Sequence, residues 1–379
     1  MIDLPENDSS EIAQHLRQRI QSVMRSLRAA RPWPSAEYSE GGYFRIPINI
    51  GGKLHNMPLG FVGTKGCNWA RSGGCTMCDY GGFNGTVPDE ILVQQTVGLL
   101  DQWPDETEIN LSALGSFFDD KELSLAARRG ILAEVAKRPN IELIGVESRA
   151  GDVNAAKIKE ARSHLGVHRC LEVGMGLESV NDFVRNVCIN KGLSRKTFER
   201  AVKTIQDCGA QAVGHVLLKP PFLTEEEAIN DAIATIEYLD ALGVRRIVLM
   251  VCNVKDGTLV GELYKQGLYR PPWLWSVLRT ALNVSSSAQN KLLIYGFDCG
   301  IPMVDIGRNC KKCSEKIINL MRKFSGTGEE IYLQDANCIN CDCKSGWNDV
   351  CGDKSQKDII GRIDFFLSAV GLNDACSGK

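Results

Sequence analysis

The chain has 379 residues, 44% of them hydrophobic and 24% charged, which is enough for a large core and argues against disorder. With 44 Lys+Arg against 46 Asp+Glu the formal net charge is -2, so a strongly basic nucleic-acid coat is excluded while a local basic face is not. Fifteen cysteines, an odd number, are the feature that needs explaining.

The first ten residues are polar and acidic and hold no apolar h-region, so no secretory signal is read there. No stretch approaches the ~18 apolar residues of a membrane span, so no membrane partner is expected. The expected compartment is the cytoplasm, where thiols stay reduced and crowded cysteines read as metal ligands. Between 11 and 30, Ile12, Leu16, Ile20, Val23, Met24 and Leu27 recur at helical period, and Pro32 and Pro34 end the run. This predicts a helical arm whose arginines, Arg17, Arg19, Arg25, Arg28 and Arg31, read as a solvated face rather than an anion site.

Six short apolar runs follow, at 59–62, 108–112, 143–147, 171–176, 212–218 and 246–251. Amphipathic runs at 88–102, 123–137, 155–164, 194–208 and 225–242 alternate with them. Strands joined by helical crossovers predict an α/β fold with a parallel sheet, though the pattern alone leaves its closure open. Ser194 and Thr224 are expected N-caps, with Glu225, Glu226 and Glu227 suiting a first helical turn. After about residue 255 the alternation fades, and a Pro271-Pro272-Trp273 turn leads into a helix. Residues 298–350 hold most of a second cysteine group in loop-like surroundings.

The first cysteine group, Cys67-x7-Cys75-x2-Cys78, follows the first strand directly, with Gly66, Gly73 and Gly74 around it. Three thiolates on a glycine-rich loop suit an iron–sulfur cluster. A 4Fe-4S cube with three protein ligands keeps one iron open for a small molecule. Zinc would want a fourth ligand, and Asp79 is the candidate.

The loop Gly66–Gly81, GCNWARSGGCTMCDYG, resembles that of the radical S-adenosylmethionine subunit of archaeosine synthase, the RaSEA family, itself similar to the Elongator radical-SAM domain. Further stretches resemble the same family in order: GSFFDD from Gly115, Glu147-Ser148-Arg149, GLES from Gly176, NDFVR from Asn181, INKG from Ile189, LKPPFLTE from Leu218 and RPPWLW from Arg270. The resemblance implies a partial (β/α)6 TIM-like radical-SAM barrel at 41–295, an N-terminal helical arm at 1–40 and a C-terminal Cys-rich metal-binding segment at 296–379. Barrel chemistry sits at the C-terminal ends of strands. Gly115 and Ser116 follow a strand and would let backbone approach the methionyl amino group, and Asp119 would add a charged contact. Glu147 and Arg149 end the next strand, where Arg149 would fork onto the methionyl carboxylate. Glu178 matches a position expected near the ribose hydroxyls, and Lys219 faces cofactor or substrate. Asn190 and Lys191 suit a cofactor contact or a loop-and-cap role equally, while His215, alone in a strand, reads as a core group, or as a substrate contact if it points into the barrel.

Cys310-x2-Cys313 and Cys341-x-Cys343, separated by a helix at 314–324, form two close thiolate pairs, a signal for a tetrahedral metal. Spacing does not separate zinc from an auxiliary Fe-S cluster, and Cys338 is a rival ligand. Cys299, Cys351 and Cys376 look supernumerary.

The resemblance implies an enzyme that cleaves S-adenosylmethionine reductively at the cluster to a 5′-deoxyadenosyl radical. Its expected reaction is lyase-type C–N cleavage of a lysine-modified 7-deazaguanine in tRNA. A lysine-transferase partner subunit and a reductant such as flavodoxin or ferredoxin are then implied. The rival enzyme reading is a radical-SAM protein acting on a small nucleoside or amino-acid derivative. From another class, the chain would be a noncatalytic Fe-S or zinc scaffold that binds RNA or a partner.

Overall fold

The computed structural model describes residues 4–5, 8–30, 43–50, 53–80, 87–297 and 303–370. Arg31, Pro32, Pro34, Gly81, Cys299 and Cys376 lie outside them. One eight-stranded sheet forms the centre: β1 Tyr43–Ile50, β2 Lys53–Val62, β3 Glu108–Ala113, β4 Leu143–Glu147, β5 Cys170–Glu178, β6 Gln211–Leu218, β7 Arg246–Val251 and β8 Leu292–Tyr295, adjacent in chain order. β1 and β2 run antiparallel, and every later pairing is parallel.

Helix α1 Glu11–Ala30 precedes the sheet. The crossovers carry α2 Asn68–Arg71 and α3 Asp89–Asp101, α4 Leu125–Ala136, α5 Ala155–Leu165, α6 Arg195–Asp207, α7 Glu225–Ala241, and then α8 Leu259–Lys265, α9 Leu274–Leu282 and α10 Ser286–Gln289. After β8 come α11 Ser314–Thr327, α12 Ile331–Asn337, α13 Cys343–Gly352 and α14 Ile359–Ala369. The expected caps are present: Ser194 accepts from the Thr197 N–H, and Thr224 with Glu227 closes a capping box.

All six expected strands exist, and the sheet has two more. β1 contains Pro47, which reads as a strand breaker, but β1 pairs only with β2 and an edge tolerates a residue without an N–H. β8 is four residues long and follows three short helices, so no alternation marks it. Between β8 and β1 the gap is spanned by the stacked rings of Phe44 and Tyr295, 5.8 Å apart and 15° from parallel, while α11 packs across β1, β2 and β8. The result is an open barrel. The segment read as loop-like is largely helical in α11 to α13, held by buried Phe324, Leu333 and Trp347.

Apolar side chains fill the barrel's inner wall at Ile46, Met57, Leu59, Val213, Val248 and Leu293. A second core surrounds the sheet and runs from Ile20 and Met24 of α1 through Ile109 and Val173 to Phe324, Trp347 and Phe366. No helix among the described residues is long and apolar enough to cross a membrane.

Candidate active site and metal centre

The sheet encloses a cavity of ≈ 320 Å³ whose wall includes Cys67, Cys75, Cys78, Gly115, Arg149 and Glu178. The cysteines sit on the loop after β2, with Cys67 at the N-terminus of α2. Two glycine positions leave no room for a side chain. A Cβ on Gly74, where φ is 72°, would lie 2.6 Å from the Ala70 Cα; one on Gly115 would lie 2.4 Å from the Cys67 Cα. The backbone after β3 therefore touches the cysteine loop directly.

Neighbouring segments brace that loop. Asn190, held at φ 54°, donates its amide to the Gly74 carbonyl at 2.7 Å and accepts the Trp69 indole N–H on its backbone oxygen at 2.8 Å. Thr76 donates its N–H to the Ile189 carbonyl and its hydroxyl to that of Cys188, both at 2.9 Å. Arg28 of α1 is buried and donates to the carbonyls of Gly73 and Cys78, so this arginine belongs to the site's scaffold and not to the solvated face expected of it. Burial pushes the Cys67 and Cys78 thiols up, opposed by the Arg149 and Lys255 charges respectively. A metal would have to displace those protons, which couples loading to the loop's closed form. Asp79, the candidate fourth ligand, is tied to Lys255 at 2.7 Å.

Beneath the loop, Glu122 is buried and accepts from the Thr64 hydroxyl at 2.6 Å and from the N–H groups of Gly115 and Ser116 at 2.8 and 2.7 Å. Burial pushes its carboxyl up to about 7 against those hydrogen bonds. Ser116 shares a 2.9 Å hydrogen bond with Ser148 and accepts the Arg149 N–H at 3.1 Å. Asp119 accepts from Asn68 of α2. Ser116 and Asp119 do not line the cavity; they hold the turn and the loop that do. Lys219 is also off the wall. It sits at φ 60°, paired with Glu225 at 2.6 Å and against the Tyr269 ring.

Inside the barrel, charged pairs form three storeys. At the strand ends Glu178, past a bulge in β5, pairs with Lys191 at 2.7 Å, and Arg149 lies over the Trp69 ring with one N–H on the Lys191 carbonyl. Glu178 has φ 68°, a strained conformation for a non-glycine residue, and it turns the chain at the mouth. Deeper, Glu147 faces His215 at 3.5 Å. Deeper still, Glu172 of β5 pairs with Arg246 of β7 at 2.8 Å, beside Asn110. His215 thus points into the cavity instead of the core. Lys255, Glu172 and Arg246 were not singled out from sequence. The signal that marks the last two is strand alternation: each is a charged residue in an apolar strand, Glu172 in phase with the inward Gly174 and Gly176 of β5 and Arg246 in phase with the inward Val248 and Met250 of β7.

The C-terminal cysteines converge. Cys310 and Cys313 precede α11, and Cys341 and Cys343 lead into α13. Their sulfurs lie 3.4 Å (Cys310–Cys341), 3.5 Å (Cys341–Cys343), 3.6 Å (Cys313–Cys343) and 3.7 Å (Cys310–Cys313) apart. Cys338 is exposed and outside the group. Burial opposes ionisation of Cys310, but hydrogen bonds from its thiol neighbours and the Lys312 N–H bring it down to about 7. The Trp275 indole donates to the Cys343 sulfur at 3.4 Å. The Trp347 indole donates to the Ser276 hydroxyl, which itself donates to Glu225, the partner of Lys219. The RPPWLW stretch is therefore the dock between metal centre and barrel.

No protein-family model matches the chain. Among solved structures, Elp3 of Methanocaldococcus infernus, lacking its N-terminus, aligns with a TM-score of 0.47 at 16% identity over 65% of this chain and 59% of its own. Archaeosine synthase subunit beta of Thermococcus kodakarensis is 29% identical over 317 residues, 80% of this chain and 94% of that protein. Its counterpart in Methanosarcina acetivorans is 31% identical over 296 residues, 76% of this chain and 82% of that protein. At that identity and coverage, this chain belongs to the archaeosine synthase subunit beta family.

Proposed function

We propose that the protein is a radical S-adenosylmethionine enzyme whose cofactors meet in the barrel cavity. The observation that carries this reading is the donor set: three thiols on one wall, with the carboxylate that would complete a zinc site already engaged by Lys255. Three thiolates and a free fourth position fit a 4Fe-4S cluster with an open iron. Such a cluster, when bound and reduced, supplies the electron that cleaves S-adenosylmethionine to a 5′-deoxyadenosyl radical. Cys67, Cys75 and Cys78 would hold it. Arg149, which has no carboxylate partner among the described residues, would take the methionyl carboxylate. The bare backbone at Gly115 would admit the methionyl amino group, and Glu178 the ribose hydroxyls. Ser116, Asp119 and Glu122 position that wall, while Phe61, Leu217 and Met250 keep water from it.

For the substrate, the relatives' name supports archaeosine-type tRNA modification. We take the reaction to be C–N cleavage of a lysine-modified 7-deazaguanine, with a lysine-transferring partner subunit and a flavodoxin- or ferredoxin-type donor, in the cytoplasm. The four C-terminal thiols would hold zinc. A tetrahedron with ~2.3 Å zinc–sulfur bonds has edges of about 3.8 Å, close to the spacing here, whereas a cube sits between ligands held farther apart. The experiment is turnover of anaerobically reconstituted protein on tRNA carrying the lysine adduct against free nucleosides. Turnover of the tRNA supports the reading. Turnover of nucleosides alone moves the protein to small-molecule chemistry, and no turnover of either by cluster-loaded protein sinks the substrate assignment.

A further inference from the structure

We propose that Glu147 and His215 form a substrate site for a primary ammonium group, one storey deeper in the barrel than the cofactor contacts; this rests on the reading of the cavity given above. The charges on the cavity wall nearly all cancel in pairs. Glu178 has Lys191, Glu172 has Arg246 and Lys255 has Asp79. Among the described residues two charges on that wall are left, the Arg149 guanidinium and the Glu147 carboxylate. Arg149 is at the mouth, beside the cysteine loop. Glu147 has only an imidazole, 3.5 Å away, and both side chains are largely buried, 24% and 17% exposed.

The two sites are separated in depth. In the sheet register Glu147 is opposite Gly174, and the Glu178–Lys191 pair lies over Gly176, where a Cβ would be 2.1 Å from the Glu178 carboxylate, one inward position or ~7 Å further along β5. His215 is opposite Gly176. Gly174 exists for this carboxylate: a Cβ there would lie 2.4 Å from its oxygen. The lining beside this carboxylate is hydrocarbon at Val213 and Val248, and Arg246, opposite Val213, is already held by Glu172. An uncompensated carboxylate in such a setting repels anions and strengthens a charge-assisted hydrogen bond to a cation. One carboxylate and one imidazole are too few protein ligands for a tightly held metal ion, which usually takes three or four. The cation that fits is an alkylammonium, with its chain along the apolar wall and its head on Glu147. His215 fills the other side of the head and accepts one of its N–H bonds when neutral. Glu147 thereby moves from the cofactor to the substrate.

The test uses the reconstituted holoenzyme with S-adenosylmethionine bound, and two probes of equal length, n-pentylamine and n-pentanol, by saturation-transfer NMR and calorimetry. Wild type should bind the amine roughly tenfold more tightly than the alcohol. Glu147→Gln keeps the shape and should bind both alike, while its affinity for S-adenosylmethionine falls far less than its affinity for the amine. Equal binding of amine and alcohol by wild type overturns the proposal without any variant. So does a Glu147→Gln protein that loses S-adenosylmethionine but still prefers the amine, because that makes Glu147 a cofactor contact. If wild type binds no S-adenosylmethionine, the functional reading of the cavity has failed, and the amine–alcohol comparison on that protein still decides the ammonium site.

Discussion

Adding one methyl group at Gly115 probes the contact on which the cofactor site is built. An ideal Cβ there lies 2.4 Å from the Cys67 Cα, 2.5 Å from the Cys67 Cβ and 2.5 Å from a Glu122 oxygen. Non-bonded carbons rest at ~3.5–4.0 Å, so the overlap is about 1 Å. Rotation of a side chain does not relieve it, because Cys67 meets the methyl with its backbone and Glu122 is held by hydrogen bonds to both oxygens. The cysteine loop or the turn after β3 has to move. Overpacking of this kind costs about 1–3 kcal/mol, a few degrees of melting temperature. The larger effect falls on the site, since about 1 Å at one ligand spoils a three-point cradle. Gly115→Ala should lose most of its iron on anaerobic reconstitution and bind S-adenosylmethionine at least tenfold more weakly. Gly98→Ala is the control: nothing lies within 4 Å of a Cβ at that mid-helix position, and alanine there should stabilise by ~0.5–1 kcal/mol. Iron content and cofactor affinity equal to wild type in Gly115→Ala would refute the close approach.

Arg149→Ala should weaken S-adenosylmethionine binding about tenfold or more, the loss of a charged hydrogen bond in a partly buried site, measured by calorimetry. Unchanged cofactor affinity with lost turnover would transfer Arg149 to the substrate. Glu122 has its folded pKa raised to about 7, so its contribution to stability is complete below its unfolded value and is lost as pH rises through about 7. The melting temperature of wild type should therefore fall between pH 5 and 7 by more than that of Glu122→Gln, and parallel falls would contradict this. Elemental analysis should find one zinc beside four irons per chain, and Cys313→Ser should lose the zinc alone and loosen α13, read as increased exposure of Trp347. Eight irons and no zinc would replace zinc with an auxiliary cluster.

Much of the barrel is legible because its strands are short apolar runs between helices with plain starts, as at Ser194 and Thr224. The cysteine loop is legible because ligand chemistry concentrates cysteine and glycine at fixed spacings. β1 and β8 are hidden for opposite reasons: one carries a proline that its edge position tolerates, the other is too short to show a period. The helical nature of 331–352 is hidden by its polarity, since three buried side chains, Leu333, Ala336 and Trp347, suffice once the thiols anchor the segment. Charge pairs across the barrel are the least legible, because Glu147 with His215 and Glu172 with Arg246 are brought together by the sheet register, not by nearness in sequence. Lys219 shows the converse. It stands at a strand end, where barrel chemistry gathers, yet the positive φ there directs it to Glu225.

The most direct test is formation of 5′-deoxyadenosine from S-adenosylmethionine by anaerobically reconstituted, dithionite-reduced protein, with Cys75→Ala alongside. Wild type should release 5′-deoxyadenosine, and Cys75→Ala, folded and still carrying its C-terminal metal, should release none. Release at the wild-type rate from Cys75→Ala, or none from wild type with a full cluster, would contradict the account.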